Sequence, residues 1–257
     1  CGRAASIGPA AAGRFTPATP GVLTVATYAV PITGFWEGSA DAPTGGFEDG
    51  LAHALAQRFG LGAVQVVEVP FGRLIAGDVG GADVVLGGLT PTEQRRQVLD
   101  FSVPYLASRP AVLVRAGTAV PDVYTAKRLR WAVTAGSTNA TALAEQIAPD
   151  PPVTANPNLA VSEAQLRAAA VDAMLLDLPD AMVRAAASGG ALTVAATLPG
   201  DDDIAAAVPR GSPNAAAVDA AIRRFLSDGT LRALADRWLG RDYTSAISAI
   251  PLLRTGA

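Results

Sequence analysis

The residues that most often hold metals or carry covalent chemistry are almost missing from this chain. Its 257 residues include one cysteine, Cys1, and one histidine, His53. No disulfide can close within the chain, and neither a thiolate cluster nor a multi-histidine zinc site can be assembled. His53 falls off the apolar face of its predicted helix, which points it to solvent rather than to catalysis. Basic charge is also scarce. With a net charge of −3 the chain has no cationic excess to displace phosphate counterions, which argues against a nucleic-acid partner. Its densest basic cluster, Lys127, Arg128 and Arg130, is too short for a polybasic membrane patch. No uninterrupted apolar stretch reaches the roughly 20 residues that span a bilayer. Nothing in the chain calls for a cofactor or a metal.

What is present is globular in character. Half the residues are hydrophobic and 17% are charged, enough apolar content to build a core, and the length suffices for two lobes. The first stretch, Gly2 to Pro20, is rich in Ala, Gly, Pro and Thr without periodicity and reads as a flexible tether. After Pro20, short β-prone runs alternate with amphipathic segments. Extended runs are expected at Val22–Ala26, Val64–Val69, Ala82–Leu86, Pro110–Arg115, Trp131–Thr134, Val153–Ala155, Val171–Leu176 and Ile204–Val208. Helices are expected at Glu48–Phe59, Thr92–Val98, Thr138–Ile147, Asn158–Ala169 and Pro179–Ala187, then Asn214–Leu226 and Thr230–Leu239 on either side of Asp228-Gly229. Such alternation predicts α/β lobes with doubly wound sheets, whose ligands bind beyond the carboxyl ends of the strands. The pattern breaks near Arg115 and near Ile204.

Six segments, in order, carry a resemblance. They are Gly46-Phe47-Glu48-Asp49-Gly50-Leu51-Ala52, Ala82 to Thr90 continued by Pro91-Thr92-Glu93-Gln94-Arg95, and Asp100-Phe101-Ser102-Val103-Pro104-Tyr105. Gly136-Ser137-Thr138, Val171-Asp172-Ala173 with Asp177, and Asp228-Gly229-Thr230 with Trp238-Leu239-Gly240 complete the set. Together they resemble the amino-acid-binding components of ABC importers, extracellular solute-binding proteins of family 3. The resemblance implies a two-lobed, type II periplasmic-binding-protein-like fold joined by two crossover strands. Its expected bounds are 21–113 with 206–257 for lobe 1 and 114–205 for lobe 2, after a tether at 1–20. The opening Cys1-Gly2 is similar to a mature bacterial lipoprotein, so Cys1 is expected to carry acyl chains that hold a monomer outside the cytoplasm at a membrane surface.

A zwitterionic ligand needs a cation for its carboxylate and an anion for its ammonium. Arg95 suits the first role, because a planar guanidinium grips a carboxylate through two parallel hydrogen bonds; the resemblance places the carboxylate-binding arginine at this position. Arg96 reads as a surface residue. Asp177, after an apolar strand, suits the second role, although an Asp before a helix is also an ordinary N-cap. Gly88 offers a bare carbonyl and Thr90 a hydroxyl beside it. Ser137 and Thr138 open a helix whose free N–H groups favour an anion, with simple capping as the alternative. Asp172 reads as structural and Asp201-Asp202-Asp203 as a solvated turn. For the ligand's side chain, Arg73 occupies a position where glutamate-type relatives often carry arginine. That implies glutamate, aspartate or their amides, with a solvated Arg73 as the alternative. Tyr28, Phe35, Trp36 and Phe71 are candidate walls. The leading expectation is a transport receptor that closes on its ligand and docks on ABC permease subunits. A receptor feeding a signalling partner, and an enzyme of the cyclohexadienyl-dehydratase kind on the same fold, are the alternatives.

Overall fold

The computed structural model of the protein describes residues 14–240, 243 and 249–254. The chain opens with β1 (Val22–Thr27), a small hairpin of β2 (Glu37–Ser39) and β3 (Ala42–Gly45), α1 (Phe47–Phe59) and β4 (Ala63–Glu68). After α2 (Phe71–Leu74) come β5 (Val84–Val85), α3 (Glu93–Arg96) and β6 (Leu99–Leu106). A second series follows: β7 (Pro110–Arg115), α4 (Val123–Lys127), β8 (Trp131–Thr134), α5 (Thr138–Ala142), β9 (Thr154–Asn156), α6 (Leu159–Arg167), β10 (Ala173–Asp177), α7 (Leu178–Ala187) and β11 (Leu192–Thr197). The last elements are β12 (Ile204–Pro209), α8 (Ala215–Asp228) and α9 (Thr230–Trp238).

Two five-stranded mixed sheets result. The first has the order β4-β1-β5-β12-β6 and the second β11-β7-β10-β8-β9. In the first, β1 runs parallel to β4 and β5 while β12 is antiparallel to its neighbours. In the second, β8 is parallel to β9 and β10, and β7 is antiparallel to β10 and β11. Strand β10 lies in the middle of its sheet, which is why Ala173 to Leu176 is an unbroken buried apolar run. Each sheet is covered on both faces, the first by α1, α8 and the α2 region, the second by α6, α7 and the turn after α5.

Helix α1 shows how sequence sets one boundary on each side. Gly46 precedes it at φ 127°, where a Cβ would sit 2.0 Å from the Phe35 carbonyl oxygen, so only glycine fits. Gly60 ends it in the left-handed region, donating to the carbonyls of Ala56 and Gln57.

Three expected boundaries shift. The first crossover lies between Leu106 and Pro110, because β7 already pairs in the second sheet; the change of pattern at Arg115 marks that strand's end instead. The chain end does not stay with lobe 1. Residues 251–254 return to the second sheet, where the Leu253 N–H donates to Thr197 and the Arg254 carbonyl accepts from Val123. The tether is shorter than expected. Phe15 stacks on Phe59 with ring centroids 4.1 Å apart, and the Thr16 and Ala18 N–H groups donate to Asn214 and Asp83. Cys1 lies outside the described residues.

A candidate ligand cleft between the two sheets

A narrow cavity opens where the two sheets face each other. Tyr28, Phe71, Gly88 and Arg95 line it from the first; Thr134, Thr138, Asn139 and Asp177 line it from the second. Its free space is about 20 Å³, the room of one water, so the lobes must part for any larger molecule to enter.

Arg95 is on α3, whose N-cap Thr92 accepts the Arg95 N–H at 3.2 Å. The side chain is 5% exposed. One terminal nitrogen donates to the Thr90 carbonyl at 2.9 Å, and the other reaches across to the Gly136 carbonyl at 3.4 Å. Its guanidinium carbon lies 5.6 Å from the centre of the Phe71 ring. Among the described residues no carboxylate forms a salt bridge with it. Burial works against its charge, and the fields of Asp177 and Asp202 work for it. A guanidinium stays protonated in proteins, so the cleft holds a buried cation with no direct counter-ion. Arg96, beside it, is exposed and lies over Phe101.

Asp177 closes β10 and stands at the N-cap position of α7, yet its side chain makes no capping bond. It accepts instead from the Asn139 amide at 3.1 Å. Burial, with Asp180 and Asp202 nearby, pushes its carboxyl well above the usual range, while Asn139 and Arg95 pull it down. With its nitrogen committed to Asp177, Asn139 keeps a buried carbonyl oxygen that has no partner among the described residues, and the Thr134 hydroxyl has none there either. Both residues line the cavity; neither stood out in the sequence.

Gly88 adopts φ 60° after β5. Its N–H donates to Glu48 at 3.0 Å, and its carbonyl receives no donor among the described residues. Glu48, 1% exposed on the first turn of α1, also accepts from the Trp36 indole at 2.8 Å and from the Tyr105 hydroxyl. Burial raises its carboxyl, and these three donors lower it.

The other expected site residues divide. Tyr28 and Thr138 line the cavity. Ser137 lines it too, but its hydroxyl accepts from the Ala140 N–H and donates to Thr134, the capping alternative. Thr90 is buried, with its hydroxyl turned to the Asp202 carbonyl at 3.3 Å; its own carbonyl positions Arg95. Phe35 and Trp36 are no walls of the cavity: both are packed into the first lobe's core, Phe35 edge-on to Phe47. Arg73 does not reach the cavity either. Its side chain is 62% exposed and pairs with Asp78, which gives the guanidinium a local partner and holds it outside. Asp202 reverses the reading of a solvated turn. It lies in the second crossover, 8% exposed, where burial raises its carboxyl while the Thr138 hydroxyl and the Arg95 charge lower it. Asp172 is structural as expected, bound by Arg130 and Arg115.

The profile of the bacterial extracellular solute-binding proteins, family 3, matches residues 24–241. The chain is similar to the L-cystine-binding protein TcyJ of Escherichia coli (strain K12), 28% identical over 207 residues that cover 79% of this chain and 77% of the relative. An ancestral arginine-binding protein bound to glutamine superposes with a TM-score of 0.75 at 26% identity, covering 86% of this chain and 99% of that one. An amino acid ABC transporter substrate-binding protein from Streptococcus pneumoniae, bound to L-arginine, also gives 0.75 at 26% identity, covering 85% and 94%. The ancestral amino acid-binding protein AncCDT-1, a precursor of cyclohexadienyl dehydratase, gives 0.73 at 26% identity, covering 85% and 95%.

Proposed function

The chain belongs to the bacterial extracellular solute-binding proteins, family 3, and from that premise we propose that it is the receptor of an ABC importer for an amino acid held in the inter-sheet cleft. One observation carries this. A buried guanidinium, Arg95, with no carboxylate partner among the described residues, and a half-buried carboxylate, Asp177, open on one cavity from opposite sheets. The ligand's carboxylate is bound by Arg95 through charge-assisted bonds. Its ammonium is bound by Asp177 and the free Gly88 carbonyl. Contacts from both sides make the closed form the one the ligand selects.

The ligand's side chain is neutral or cationic. The arginine expected to greet an acidic side chain is paired with Asp78 outside the cavity. Asp177 and Asp202 already surround the cation that the ligand carboxylate needs. The unpartnered oxygens of Asn139 and Thr134 favour a side chain with N–H donors. Glutamate and aspartate therefore fall from the expected set, glutamine and asparagine stay, and basic residues join it. The L-arginine-bound and glutamine-bound relatives support this reading.

A thermal-shift screen against the twenty amino acids tests it, since a ligand that binds only the folded state raises the melting temperature. A rise with glutamine or arginine is expected. No rise with any amino acid would reject the assignment, and turnover of a cyclohexadienyl acid would move the protein to the enzymes. A permease partner, a monomeric state and membrane attachment through a lipid on Cys1 belong to the same proposal. Co-purification with permease subunits and mass spectrometry of Cys1 check the first and last.

A further inference from the structure

Helix α7 is buried on two opposite faces, and its own lobe accounts for one of them. Leu178, Ala181, Met182 and Ala185 turn to the second sheet. Asp180, Val183 and Arg184, three and four positions apart on the other side, are buried as well. Val183 joins the core of the first lobe. A Cβ on Gly34 would sit 3.0 Å from the Val183 Cγ1, so the bare backbone of that first-lobe loop is what lets the helix seat. Asp180, one turn before Val183, faces Glu48 on α1, Tyr28 after β1, Tyr105 on β6 and Tyr243. Its own helix adds Asp177 and Arg184, and Arg184 is shared with Glu163 on α6. Glu48 already spends its oxygens on Gly88, Trp36 and Tyr105. The Asp180 Oδ1 is enclosed without a partner among the described residues. Across this seam two buried acids therefore meet as the lobes close.

We infer that closing the lobes takes up a proton from solvent and that Asp180 is the group that holds it. The inference rests on the cleft being a zwitterion site that closes, and it makes the proton a second ligand of the closed form. When the lobes part to admit an amino acid, Val183 leaves Gly34 and the Asp180 carboxylate returns to water, away from Glu48. There it titrates at the ordinary Asp value of about 4. Closing puts it back in the seam, where burial carries it to about 7, with Arg184 lowering it and Glu48 raising it. Between those two values the open form is ionised and the closed form gains an O–H bond on Asp180. The proton's contribution to closing is greatest below the open-form value and is lost as pH rises through about 7. Asp177 acts in the opposite sense. Its carboxyl, held well above the usual range, must be ionised to meet the ligand ammonium, so its proton leaves on binding.

Titration calorimetry with L-glutamine and L-arginine at pH 7, in phosphate and in Tris, counts the protons exchanged on binding. Whatever Asp177 releases appears both in the wild type and in Asp180→Asn, so the difference between the two proteins reads Asp180. The wild type should take up about half a proton more per ligand than the variant, as a group half-titrated near pH 7 does. From pH 6 to pH 8 its affinity should fall about tenfold relative to that of the variant. Asp180→Ser is a second neutral variant, smaller than asparagine, and should match Asp180→Asn on both counts. Equal proton counts, or parallel pH profiles, in the wild type and a folded neutral variant overturn the inference and leave the zwitterion site standing. If the wild-type protein binds no amino acid, the zwitterion reading itself fails and this one falls with it.

Discussion

Asn139 donates its side-chain amide to Asp177 at 3.1 Å, and that bond fixes what both residues present to the cleft. The amide nitrogen is spent, so the Asn139 oxygen is the atom left free. The carboxylate keeps its second oxygen for an ammonium. Asp177→Asn removes the charge and sets two amides face to face. Calorimetry should show amino-acid affinity falling by about 30-fold or more, the scale of losing a charged hydrogen-bond partner. The melting temperature of the unliganded protein should hold or rise, because the lost carboxyl was already disfavoured by burial.

Arg95 is the complementary case. Arg95→Ala takes the Gly136 carbonyl's donor and one of the two on the Thr90 carbonyl, which keeps the Thr92 N–H, and leaves the ligand carboxylate without its cation. Binding should drop by about 100-fold or more, in line with truncation of one buried charge partner. Arg95→Lys keeps the charge but loses the planar fork, so it should recover only part of the affinity. Wild-type affinity in either variant would remove Arg95 from the site.

The place of these two residues on one cavity was legible because each falls in a segment that carries the family resemblance, Arg95 after a turn and Asp177 at the end of an apolar strand. Asp202 was not. A run of three acids predicts solvent exposure, and what buries the middle one is the crossover, where its backbone is gripped by Ser108 and Thr90. Phe35 and Arg73 failed for related reasons. An aromatic ring in a loop points wherever tertiary packing leaves room, here the core beside Phe47. An arginine is drawn to the nearest carboxylate, here Asp78 five positions on. The strand order and the return of residues 251–254 to the second sheet depend on long-range pairing that periodicity does not encode.

Asp180 supplies a pH dependence. It is 5% exposed on α7, and burial raises its carboxyl to about 7, with Arg184 lowering it and Glu48 raising it. Facing groups from other elements include Tyr105, buried, and Tyr28, half-buried, both shifted upward in part by Asp180. The folded state thus holds a proton that the unfolded chain releases near the ordinary Asp value of about 4. Stability from this group is greatest below that value and declines as pH rises through about 7. The melting temperature should fall between pH 5 and 7.5 in the unliganded protein. In Asp180→Asn the decline should be shallower, and a slope identical to wild type would exclude Asp180 as its source.

Leu253, 7% exposed, packs into the second lobe's core, while Tyr243, ten positions earlier, packs into the first. Leu253→Ala should cost about 2–5 kcal/mol, the usual range for such a truncation, measured by urea unfolding. A loss below about 0.5 kcal/mol, typical of a surface change, would mean that the chain end adds nothing to the second lobe.

Glu48 ties the cleft to the body of the first lobe. Its carboxylate receives the Gly88 N–H, the Tyr105 hydroxyl and the Trp36 indole; Trp36 retains a second acceptor, the Leu86 carbonyl at 3.2 Å. Glu48→Gln keeps an oxygen for Gly88 and Tyr105 and turns an amide nitrogen toward the indole. Because Trp36 has that fallback, the cost should be small, about 1–2 kcal/mol for one donor left poorly met. Glu48→Ala strips the partner from two buried donors with no alternative acceptor and opens a void. It should cost about 3 kcal/mol or more. The two variants also separate packing from presentation of the site. If Glu48 holds Gly88 so that its carbonyl meets the ligand ammonium, Glu48→Ala should weaken amino-acid binding well beyond Glu48→Gln at a temperature where both remain folded. Equal affinities in the two folded variants would reduce Glu48 to a core residue and leave the Gly88 turn to hold its shape through β5 alone.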